Sequence, residues 1–283
     1  MAFARIMGTG SYLPDRVLTN EELSRSLDTT DDWIRSRSGI RERRIAADDE
    51  FTCDLAEHAA RRALENAGRS FGDIDLIVVA TTTPDQVFPS TACLLQARLQ
   101  AKDCPAFDIQ AVCAGFIYAL DVVSKYIESG AAQCALVVGA ETFSRILDWS
   151  DRSTCVLFGD GAGGVLLESS KKENGVMDSI LFLDGSGGKY LHMPAGGSLL
   201  PATHDTVDKK LHYLKQEGKT VFKFAVKKMA DVCLKILERN GLSGKDIKLF
   251  IPHQANKRII DAAAQRCGFT ENQVLININK YGN

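Results

Sequence analysis

Short apolar runs alternate along the first part of the chain with segments in which apolar residues recur at helical spacing. Strands rich in valine, isoleucine, leucine and alanine are predicted at residues 75–80, 106–109, 135–138 and 165–167. Helices are predicted between them at residues 55–67 and 114–129. Strands that alternate with helices are typical of α/β proteins, so the pattern predicts that fold class.

The second part of the chain repeats this style. Its pattern predicts, in order, a helix, a strand, a helix and a strand at residues 222–240, 249–251, 257–267 and 274–278. A helix, a glycine, a short loop and a strand follow one another at residues 64–77 and again at 237–250, which suggests two related halves. Many helix-to-strand joints look alike, so this similarity alone leaves open whether the two halves arose by duplication. The predicted boundary near residue 172 gives domains at 1–172 and 173–283.

Composition and charge exclude several classes of protein. The 283 residues are 45% hydrophobic and 25% charged, with a formal net charge of −2, as in ordinary globular proteins. Such a balance provides no overall field that would attract nucleic acid or an anionic membrane. The first residues lack the pattern of a secretory signal, and the apolar runs are too short for a bilayer. We therefore expect a cytoplasmic protein with no nucleic-acid or membrane partner.

The eight cysteines do not form a recognisable metal or disulfide pattern. No CxxC pair occurs, and no histidine stands at zinc-ligand spacing from a cysteine, so no metal is expected. The run Gly159–Gly164 fits the spacing G-x-G-x-x-G, but a strand pattern follows it where a dinucleotide site needs a helix. We interpret this run as a close backbone turn that enters a strand.

Residues 108–116 carry the first candidate for chemistry. A strand ends there, and small residues surround Cys113, which opens a long predicted helix. A thiol at a helix N-terminus faces unpaired N–H groups and the positive end of the helix dipole, which favours the thiolate. A buried structural cysteine is the alternative interpretation.

Two further candidates follow predicted strands. His253 lies just after residues 249–251, and Asn283 follows a turn after residues 274–278. Loops at the carboxyl ends of strands commonly carry reactive groups, so Cys113 and these two side chains could converge on one site. A cysteine, a histidine and a neutral amide are a workable set for acyl transfer.

Several motifs, in order along the chain, resemble those of the β-ketoacyl-acyl-carrier-protein synthase III family. They are Gly8-Thr9-Gly10-Ser11-Tyr12-Leu13-Pro14, Trp33-Ile34, Ser38-Gly39-Ile40-Arg41-Glu42-Arg43, Cys113-Ala114-Gly115-Phe116, Phe158-Gly159-Asp160-Gly161-Ala162-Gly163, Pro252-His253-Gln254-Ala255-Asn256 and Tyr281-Gly282-Asn283. The resemblance implies a thiolase-like fold, with two pseudo-symmetric βαβαβαβ-type halves in a five-layer α-β-α-β-α sandwich. It also implies a homodimer.

The resemblance implies the initiating condensation of type II fatty-acid synthesis. A short acyl-CoA, with acetyl-CoA favoured, would acylate Cys113. Malonyl-acyl-carrier-protein would then lose carbon dioxide and condense with the acyl group, while His253 and Asn283 stabilise the thioester oxygen. The Cys-His-Asn set distinguishes this class from elongating synthases, which use two histidines, and from thiolases, which use a second cysteine. No cofactor is implied, because acyl-CoA and malonyl-carrier protein are substrates.

The resemblance also implies binding residues. Those for CoA and its pantetheine arm are Trp33, Arg37, Arg152, Gly218, Phe222 and Asn256; Phe88 would shape the primer pocket across the dimer, and Lys223 and Arg258 would receive the acidic carrier protein. Without the resemblance, Trp33 would be interpreted as a partly buried core aromatic and the basic side chains as solvated surface charges.

Two alternative functions and one departure from the family stay open. The chain could be a Cys-His-Asn acyltransferase of secondary metabolism that uses other acyl-CoA substrates, or a noncatalytic partner that binds acyl chains or carrier protein. Family members continue beyond the position of Asn283 with a helix, two strands and a glycine-rich loop that serves the oxyanion hole. We therefore expect the sequence to be part of a longer protein and the 283-residue chain by itself to be weakly active or inactive.

Overall fold

The structure, a computed structural model, describes residues 2–101 and 103–283. The strands are β1 (Phe3–Tyr12), β2 (Arg16–Thr19), β3 (Glu42–Ile45), β4 (Leu76–Ala80), β5 (Ala106–Ile109), β6 (Cys134–Thr142), β7 (Asp160–Ser170), β8 (Leu191–His192) and β9 (Lys215–Gln216). The helices are α1 (Asn20–Ser24), α2 (Asp31–Ser38), α3 (Thr52–Ala67), α4 (Thr91–Leu99), α5 (Gly115–Glu128), α6 (His204–Asp208), α7 (Gly218–Arg239), α8 (Lys257–Cys267) and α9 (Ile278–Tyr281).

The chain divides into two compact units that interleave along the sequence. The first unit contains the residues up to Arg16, Ile45–Thr142 and Asp160–Leu181. The second contains Val17–Arg44, Phe143–Gly159 and Phe182–Asn283. The predicted division into residues 1–172 and 173–283 stays a prediction, and so does the pseudo-symmetry of those halves.

The first unit is built on a five-stranded mixed sheet in the order β1-β7-β6-β4-β5. Strand β4 pairs in parallel with β5 and with β6, whereas β7 pairs antiparallel with β6 and with β1. Strands β4 and β6 are buried on both faces over most of their length, which explains their nearly continuous apolar sequence. Their carboxyl ends lie side by side at one edge of the sheet, so the loops that follow β5, β4 and β6 are neighbours.

Helices cover both faces of this sheet. Helices α3 and α4 pack on the face formed by Ile77, Val79, Leu136 and Val138, and α5 packs on the face formed by the alternate residues. Four alanines of α3 are completely buried, and their small side chains let that helix lie close to the strands. The unit is therefore a three-layer α-β-α structure, and the predicted α/β class is confirmed.

Most predicted elements of the first unit are present. The strand at 106–109 has the predicted bounds, and the predicted helices at 55–67 and 114–129 correspond to α3 and α5. Strands β6 and β7 extend several residues beyond the predictions at 135–138 and 165–167. Strand β1 was not predicted, because glycines at positions 8 and 10 interrupt its apolar pattern.

The second unit agrees with the predicted helices but not with the predicted strands. Helix α8 has the predicted bounds of 257–267, and α7 begins four residues before the predicted 222. The strands predicted at 249–251 and 274–278 are reduced to one parallel bridge between Phe250 and Val274, and Ile278 instead begins α9. A strand is stabilised by backbone partners along its length, and here Phe250 bonds only to Gln273 and Leu275 among the described pairs.

The sequence similarity between residues 64–77 and 237–250 corresponds to a local structural motif. After α3, Ser70 and Asp73 form a reciprocal capping box in a short 3₁₀ turn that leads into β4. After α7, Ser243 and Asp246 form the same box. A third copy follows α8. Because three joints share the motif, it marks a way of leaving a helix and is not by itself a sign of duplication.

None of the helices described within residues 2–101 and 103–283 combines the length and the apolar character needed to cross a membrane.

Candidate active site

The first unit brings three loops together at the carboxyl ends of its parallel strands. Cys113 follows β5, Thr82 and Thr83 follow β4, and Glu141 stands near the end of β6. The backbone joins two of these loops directly, because the Thr81 N–H donates to the Ile109 carbonyl at 3.2 Å. In open α/β sheets this edge is where ligands and reactive groups are found.

Cys113 lies on a strained turn. It occupies the 3₁₀ turn Val112–Ala114, which leads without a break into α5. Val112 has a φ of 48°, a conformation that a β-branched residue adopts only when its surroundings enforce it, at a cost of about 1–3 kcal/mol. Cys113 itself is exposed. Strain beside an accessible thiol at the edge of the sheet is the pattern expected of a functional site rather than of a buried structural cysteine.

The structure corrects the expectation that the helix N-terminus favours the thiolate. The surrounding protein desolvates the sulfur and raises the pKa of the Cys113 thiol, and the charge of Glu141 acts in the same direction. The backbone N–H of Cys113 opposes both effects but does not outweigh them. Neighbouring protein atoms therefore desolvate the thiol although the residue is exposed to solvent. In this state Cys113 is therefore a neutral thiol at pH 7.

The segment between β4 and α4 is anchored at its ends and exposed in its middle. The Asp85 carboxylate accepts from the Cys53 N–H at 3.1 Å, and the Asp108 carboxylate accepts from the N–H groups of Thr91 and Ala92 at 2.8 and 2.7 Å. Between these anchors Phe88 is 82% exposed. The structure of the single chain leaves this side chain uncovered, and its predicted role in a primer pocket stays a prediction.

Gln254 ties the His253 loop to the segment that leads to Asn283. Its side-chain oxygen accepts from the N–H groups of Asn277 and Ile278 at 3.0 and 3.1 Å, and its nitrogen donates to the Leu275 carbonyl at 3.1 Å. These bonds take up the first N–H groups of α9. Gln254 lay within a recognised motif, but sequence reasoning gave it no role.

His253 is a neutral imidazole at physiological pH. Desolvation lowers its pKa from 6.5 to about 4, although its surface is exposed to solvent. A neutral imidazole carries one N–H group, so it can donate a hydrogen bond without bringing a positive charge into the site.

Asn283 is held between two backbone groups of the same unit. Its N–H donates to the Leu157 carbonyl at 3.0 Å, and its carbonyl accepts from the Gly159 N–H at 3.0 Å. Gly282 precedes it with φ of 72° and ψ of −156°, a conformation that is essentially restricted to glycine. A Cβ atom at Gly159 would lie 2.7 Å from the Tyr281 carbonyl oxygen. The glycine-rich run is therefore required by close packing, which agrees with its interpretation as a backbone turn into a strand.

Arg43 lies beside Gly159 and Gly282, the glycines around Asn283. Its side chain is completely buried and donates to the carbonyls of Leu18 and Val156 and to the Asn20 side chain at 2.8–3.0 Å. Desolvation lowers its pKa to about 10, so it remains charged at pH 7. A Cβ atom on Gly282 would lie 3.1 Å from the Arg43 Cβ. Sequence reasoning quoted Arg43 in a motif but missed its role, because a buried arginine cannot be distinguished from a surface one by pattern.

Trp33, Arg37 and Arg152 come together in the second unit, as predicted for a CoA site. The guanidinium carbons of Arg37 and Arg152 lie 4.5 and 5.2 Å from the centre of the Trp33 ring. Arg152 also donates to the backbone carbonyl of Asp28 and, at 3.0 Å, to its carboxylate. The result is an aromatic face with two cations, which suits a purine ring and phosphate groups.

The remaining predicted binding residues lie on α7 and α8. Asn256 caps α8 by accepting from the Arg258 N–H at 2.9 Å, and it donates to the Arg37 carbonyl at 2.8 Å. The Arg258 guanidinium lies 5.0 Å from the centre of the Phe222 ring. Lys223 is exposed on α7, and Gly218 begins that helix. The contacts of these residues with pantetheine or carrier protein stay predictions.

Within residues 2–101 and 103–283 no group of three or more histidine, cysteine, aspartate or glutamate side chains is arranged to hold a metal ion. Glu141 is the acidic residue that sequence reasoning missed near Cys113. No local signal marks it, because Glu141 lies beyond the predicted strand at 135–138 and its contacts with Thr82 and Thr83 depend on the fold.

Comparison with known proteins decides the family. The family model described as 3-Oxoacyl-[acyl-carrier-protein (ACP)] synthase III matches residues 107–185, and that of its C terminal part matches residues 237–283. The β-ketoacyl-[acyl-carrier-protein] synthase III of Caldanaerobacter subterraneus subsp. tengcongensis is 53% identical over 280 residues, which are 99% of this chain and 85% of the relative. The chain belongs to the β-ketoacyl-[acyl-carrier-protein] synthase III family.

Two further relatives agree with this assignment. The β-ketoacyl-[acyl-carrier-protein] synthase III of Thioalkalivibrio sulfidiphilus is 52% identical over 283 residues, which are 100% of this chain and 87% of the relative. The crystal structure of 3-oxoacyl-[acyl-carrier-protein] synthase III from Aquifex aeolicus VF5 superimposes with a TM-score of 0.90 at 46% identity. It covers 99% of this chain and 86% of that one. The predicted family, its thiolase-like fold and the predicted class of condensing acyltransferase are thereby confirmed.

Proposed function

We propose that this protein starts fatty-acid chains by condensing a short acyl-CoA with malonyl-acyl-carrier-protein at Cys113. The observation that carries the proposal is the complete Cys-His-Asn set, with an accessible cysteine on a strained turn and a histidine kept neutral. No feature of the described residues favours the alternative substrates of secondary metabolism, and a noncatalytic binding partner would need none of the three side chains.

In the first half-reaction Cys113 attacks the carbonyl carbon of the acyl-CoA thioester. The bond from that carbon to the CoA sulfur breaks, and a bond to the cysteine sulfur forms. The proton that leaves the thiol is balanced by the one that CoA takes up when it departs. Because desolvation raises the pKa of Cys113, this proton has to be removed as the substrate binds or reacts.

In the second half-reaction malonyl-acyl-carrier-protein binds and loses carbon dioxide. The electron pair left on its α-carbon delocalises onto the thioester oxygen, where His253 and Asn283 donate hydrogen bonds. Each such donor contributes about 3–4 kcal/mol when it acts where charge develops. The carbanion attacks the acyl group on Cys113, a carbon–carbon bond forms, and the cysteine sulfur leaves and regains a proton. The product is 3-oxoacyl-acyl-carrier-protein.

The binding assignments belong to the same proposal. Trp33 stacks against the CoA adenine, and Arg37 and Arg152 neutralise phosphate groups beside it, which is supported by their cation–π geometry. Lys223 and Arg258 attract the acidic carrier protein, which is supported by their exposure. Gly218, Phe222 and Asn256 contact the pantetheine arm.

Phe88 shapes the primer pocket of a second copy in a homodimer, a role that its exposed position suits. The reaction needs no cofactor or metal, since both carbon donors arrive as thioesters. We place the activity in the cytoplasm, where the net charge of −2 and the reduced cysteines are ordinary.

Intact mass spectrometry after mixing with acetyl-CoA, isobutyryl-CoA and octanoyl-CoA tests the proposal. A mass increase of one short acyl group on Cys113, absent in a Cys113→Ala variant, is the expected result. The acylated protein should then release its acyl group as 3-oxoacyl-acyl-carrier-protein when malonyl-acyl-carrier-protein is added. Acylation by octanoyl-CoA alone with refusal of the malonyl substrate would favour a secondary-metabolism relative, and no acylation at all would favour a binding partner.

A further inference from the structure

Glu141 fastens the loop after β4 at three points. Its two carboxylate oxygens accept from the Thr82 N–H at 2.8 Å, from the Thr83 N–H at 3.1 Å and from the Thr83 hydroxyl at 2.5 Å. The same hydroxyl accepts from the Thr142 N–H at 2.8 Å, and the Thr52 hydroxyl donates to the Thr83 carbonyl at 2.5 Å. The beginning of the loop therefore has one defined position relative to the strand ends.

This loop is the start of the exposed segment that carries Phe88. Further along, the Asp85 carboxylate accepts from the Cys53 N–H, and the Asp108 carboxylate holds the start of α4, so Glu141 supplies the first anchor after β4. A displacement of about 1 Å in residues that position a substrate can cost a hundredfold in rate. The Glu141 bonds therefore form a clamp on the segment that follows β4, the neighbour of the strand that leads to Cys113.

Glu141 also acts on Cys113 through its charge. Burial raises the pKa of Glu141 to about 7, against the hydrogen bonds from Thr83 and Thr82, which favour the anion. At pH 8 most molecules therefore carry a negative charge here. That charge raises the pKa of the Cys113 thiol and so restrains its ionisation while no substrate is bound.

We infer that Glu141 is a positioning residue for acyl transfer: its carboxylate fixes the Thr82–Thr83 segment beside Cys113 and keeps a negative charge close to that nucleophile. The inference rests on the proposed role of Cys113. Its two parts predict opposite changes in reactivity. Loss of the charge makes the thiol more easily ionised, whereas loss of the clamp makes the oriented reaction with a large substrate slower.

Asp75 provides a matched control within the same sheet. Its carboxylate accepts from the N–H groups of Gln133 and Cys134 at 2.8 and 3.2 Å, at the opposite ends of β4 and β6. It therefore performs the same structural task as Glu141, far along the strands from Cys113. An Asp75→Asn variant removes a clamp without changing the charge beside the nucleophile.

The experiment compares two rates in the native protein, Glu141→Gln and Asp75→Asn at pH 8. The first is alkylation of Cys113 by iodoacetamide, followed by mass spectrometry of the Cys113 peptide, and the second is acylation of Cys113 by acetyl-CoA. In Glu141→Gln we expect alkylation to become about threefold faster or more and acylation to become roughly tenfold slower. In Asp75→Asn we expect both rates to stay within twofold of native.

Rates in Glu141→Gln that both stay unchanged, as expected for Asp75→Asn, or that fall together, overturn the inference. Should Glu141→Gln fail to fold by circular dichroism, Glu141→Asp decides. That variant retains the charge on a shorter side chain, so alkylation should stay within twofold of native while acylation falls; native acylation overturns the inference. Native protein that is not acylated at Cys113 would instead refute the proposed function, and the alkylation rates would still test the electrostatic part.

Discussion

Replacing Gly282 with alanine tests how Asn283 is held in place. The residue has φ of 72° and ψ of −156°, and an added Cβ atom would lie 3.1 Å from both the Leu157 carbonyl oxygen and the Arg43 Cβ. The backbone conformation alone costs a non-glycine residue about 1–3 kcal/mol. Contacts with a backbone oxygen and a buried arginine raise this to roughly 2–4 kcal/mol, since neither neighbour moves easily.

The chain can avoid this strain by releasing Asn283 from its backbone partners. Release breaks the two hydrogen bonds between Asn283 and the backbone of Leu157 and Gly159. Each such bond contributes a net 0.5–1.5 kcal/mol, so release costs about 1–3 kcal/mol in total. The middle of this range, about 2 kcal/mol, lies below the middle of the strain range, about 3 kcal/mol, and we therefore expect Gly282→Ala to free Asn283 rather than to keep it in place under strain.

Measuring the two half-reactions separately shows whether Asn283 has been released. Acylation of Cys113 by acetyl-CoA, followed by intact mass spectrometry, should proceed at the native rate. Condensation with malonyl-acyl-carrier-protein should fall by about a hundredfold or more, because one donor to the thioester oxygen is lost. Gly241→Ala is the matched control: its φ is 64°, but nothing lies within 4 Å of an added Cβ atom, so it should condense normally.

A Gly282→Ala protein that condenses at the native rate and keeps the native Tm would refute this reasoning. Retention of Asn283 under strain would appear as a lower Tm, at about 2–4 °C for each kcal/mol, with condensation preserved. That outcome would mean that the two backbone bonds to Asn283 are stronger than their average. A loss of both half-reactions together would contradict the separation of the two roles.

Three other predictions follow from the same geometry. Trp33→Ala should raise the Kd for CoA, measured by calorimetry, by about tenfold to a hundredfold through loss of stacking, whereas Lys235→Ala on α7 should leave it unchanged. Because the pKa of His253 is lowered to about 4, the pH profile of the malonyl decarboxylation rate should show no break near pH 6.5 that disappears in His253→Gln. The free energy of unfolding of the native protein should also decline as the pH falls from 6.5 toward 4, because the unfolded chain binds the proton more readily in that range. Arg43→Lys should leave at least one buried acceptor unpaired and lower the free energy of unfolding in urea by about 1–3 kcal/mol, with an unchanged value contradicting the supporting role of this residue.

The sequence pattern was sufficient for elements whose stability is local or whose faces are fully buried. Helix α8 ends at a glycine and begins at an asparagine cap, and strand β5 lies between a proline and a glutamine, so their predicted bounds match the structure. The strand at 274–278 failed because strand formation depends on partners elsewhere in the chain. The apolar run at 274–278 fits the strand pattern, but only Val274 forms a bridge, with Phe250, so no ladder of paired residues results.

The residues of the candidate site also divide into those that have a local sequence signal and those that do not. Cys113, His253 and Asn283 could be proposed from the sequence because a reactive side chain in a loop after a strand is a local signal, and the family resemblance reinforced it. Glu141, Gln254 and Arg43 could not, because each acts through hydrogen bonds to residues distant in the sequence. A glutamate, a glutamine and an arginine look the same in a sequence whether they face water or hold a loop.

The ionisation state of Cys113 shows why motif chemistry alone is insufficient. A helix N-terminus favours the thiolate, and this contribution is present, since the backbone N–H of Cys113 lowers the pKa. Desolvation by the surrounding protein is larger, and the charge of Glu141 is added to it. The balance depends on atoms brought close by the fold, which no spacing of residues encodes. It follows that this thiol is kept neutral until a substrate arrives, so reactivity should be governed by the groups around Cys113 more than by the helix that it precedes.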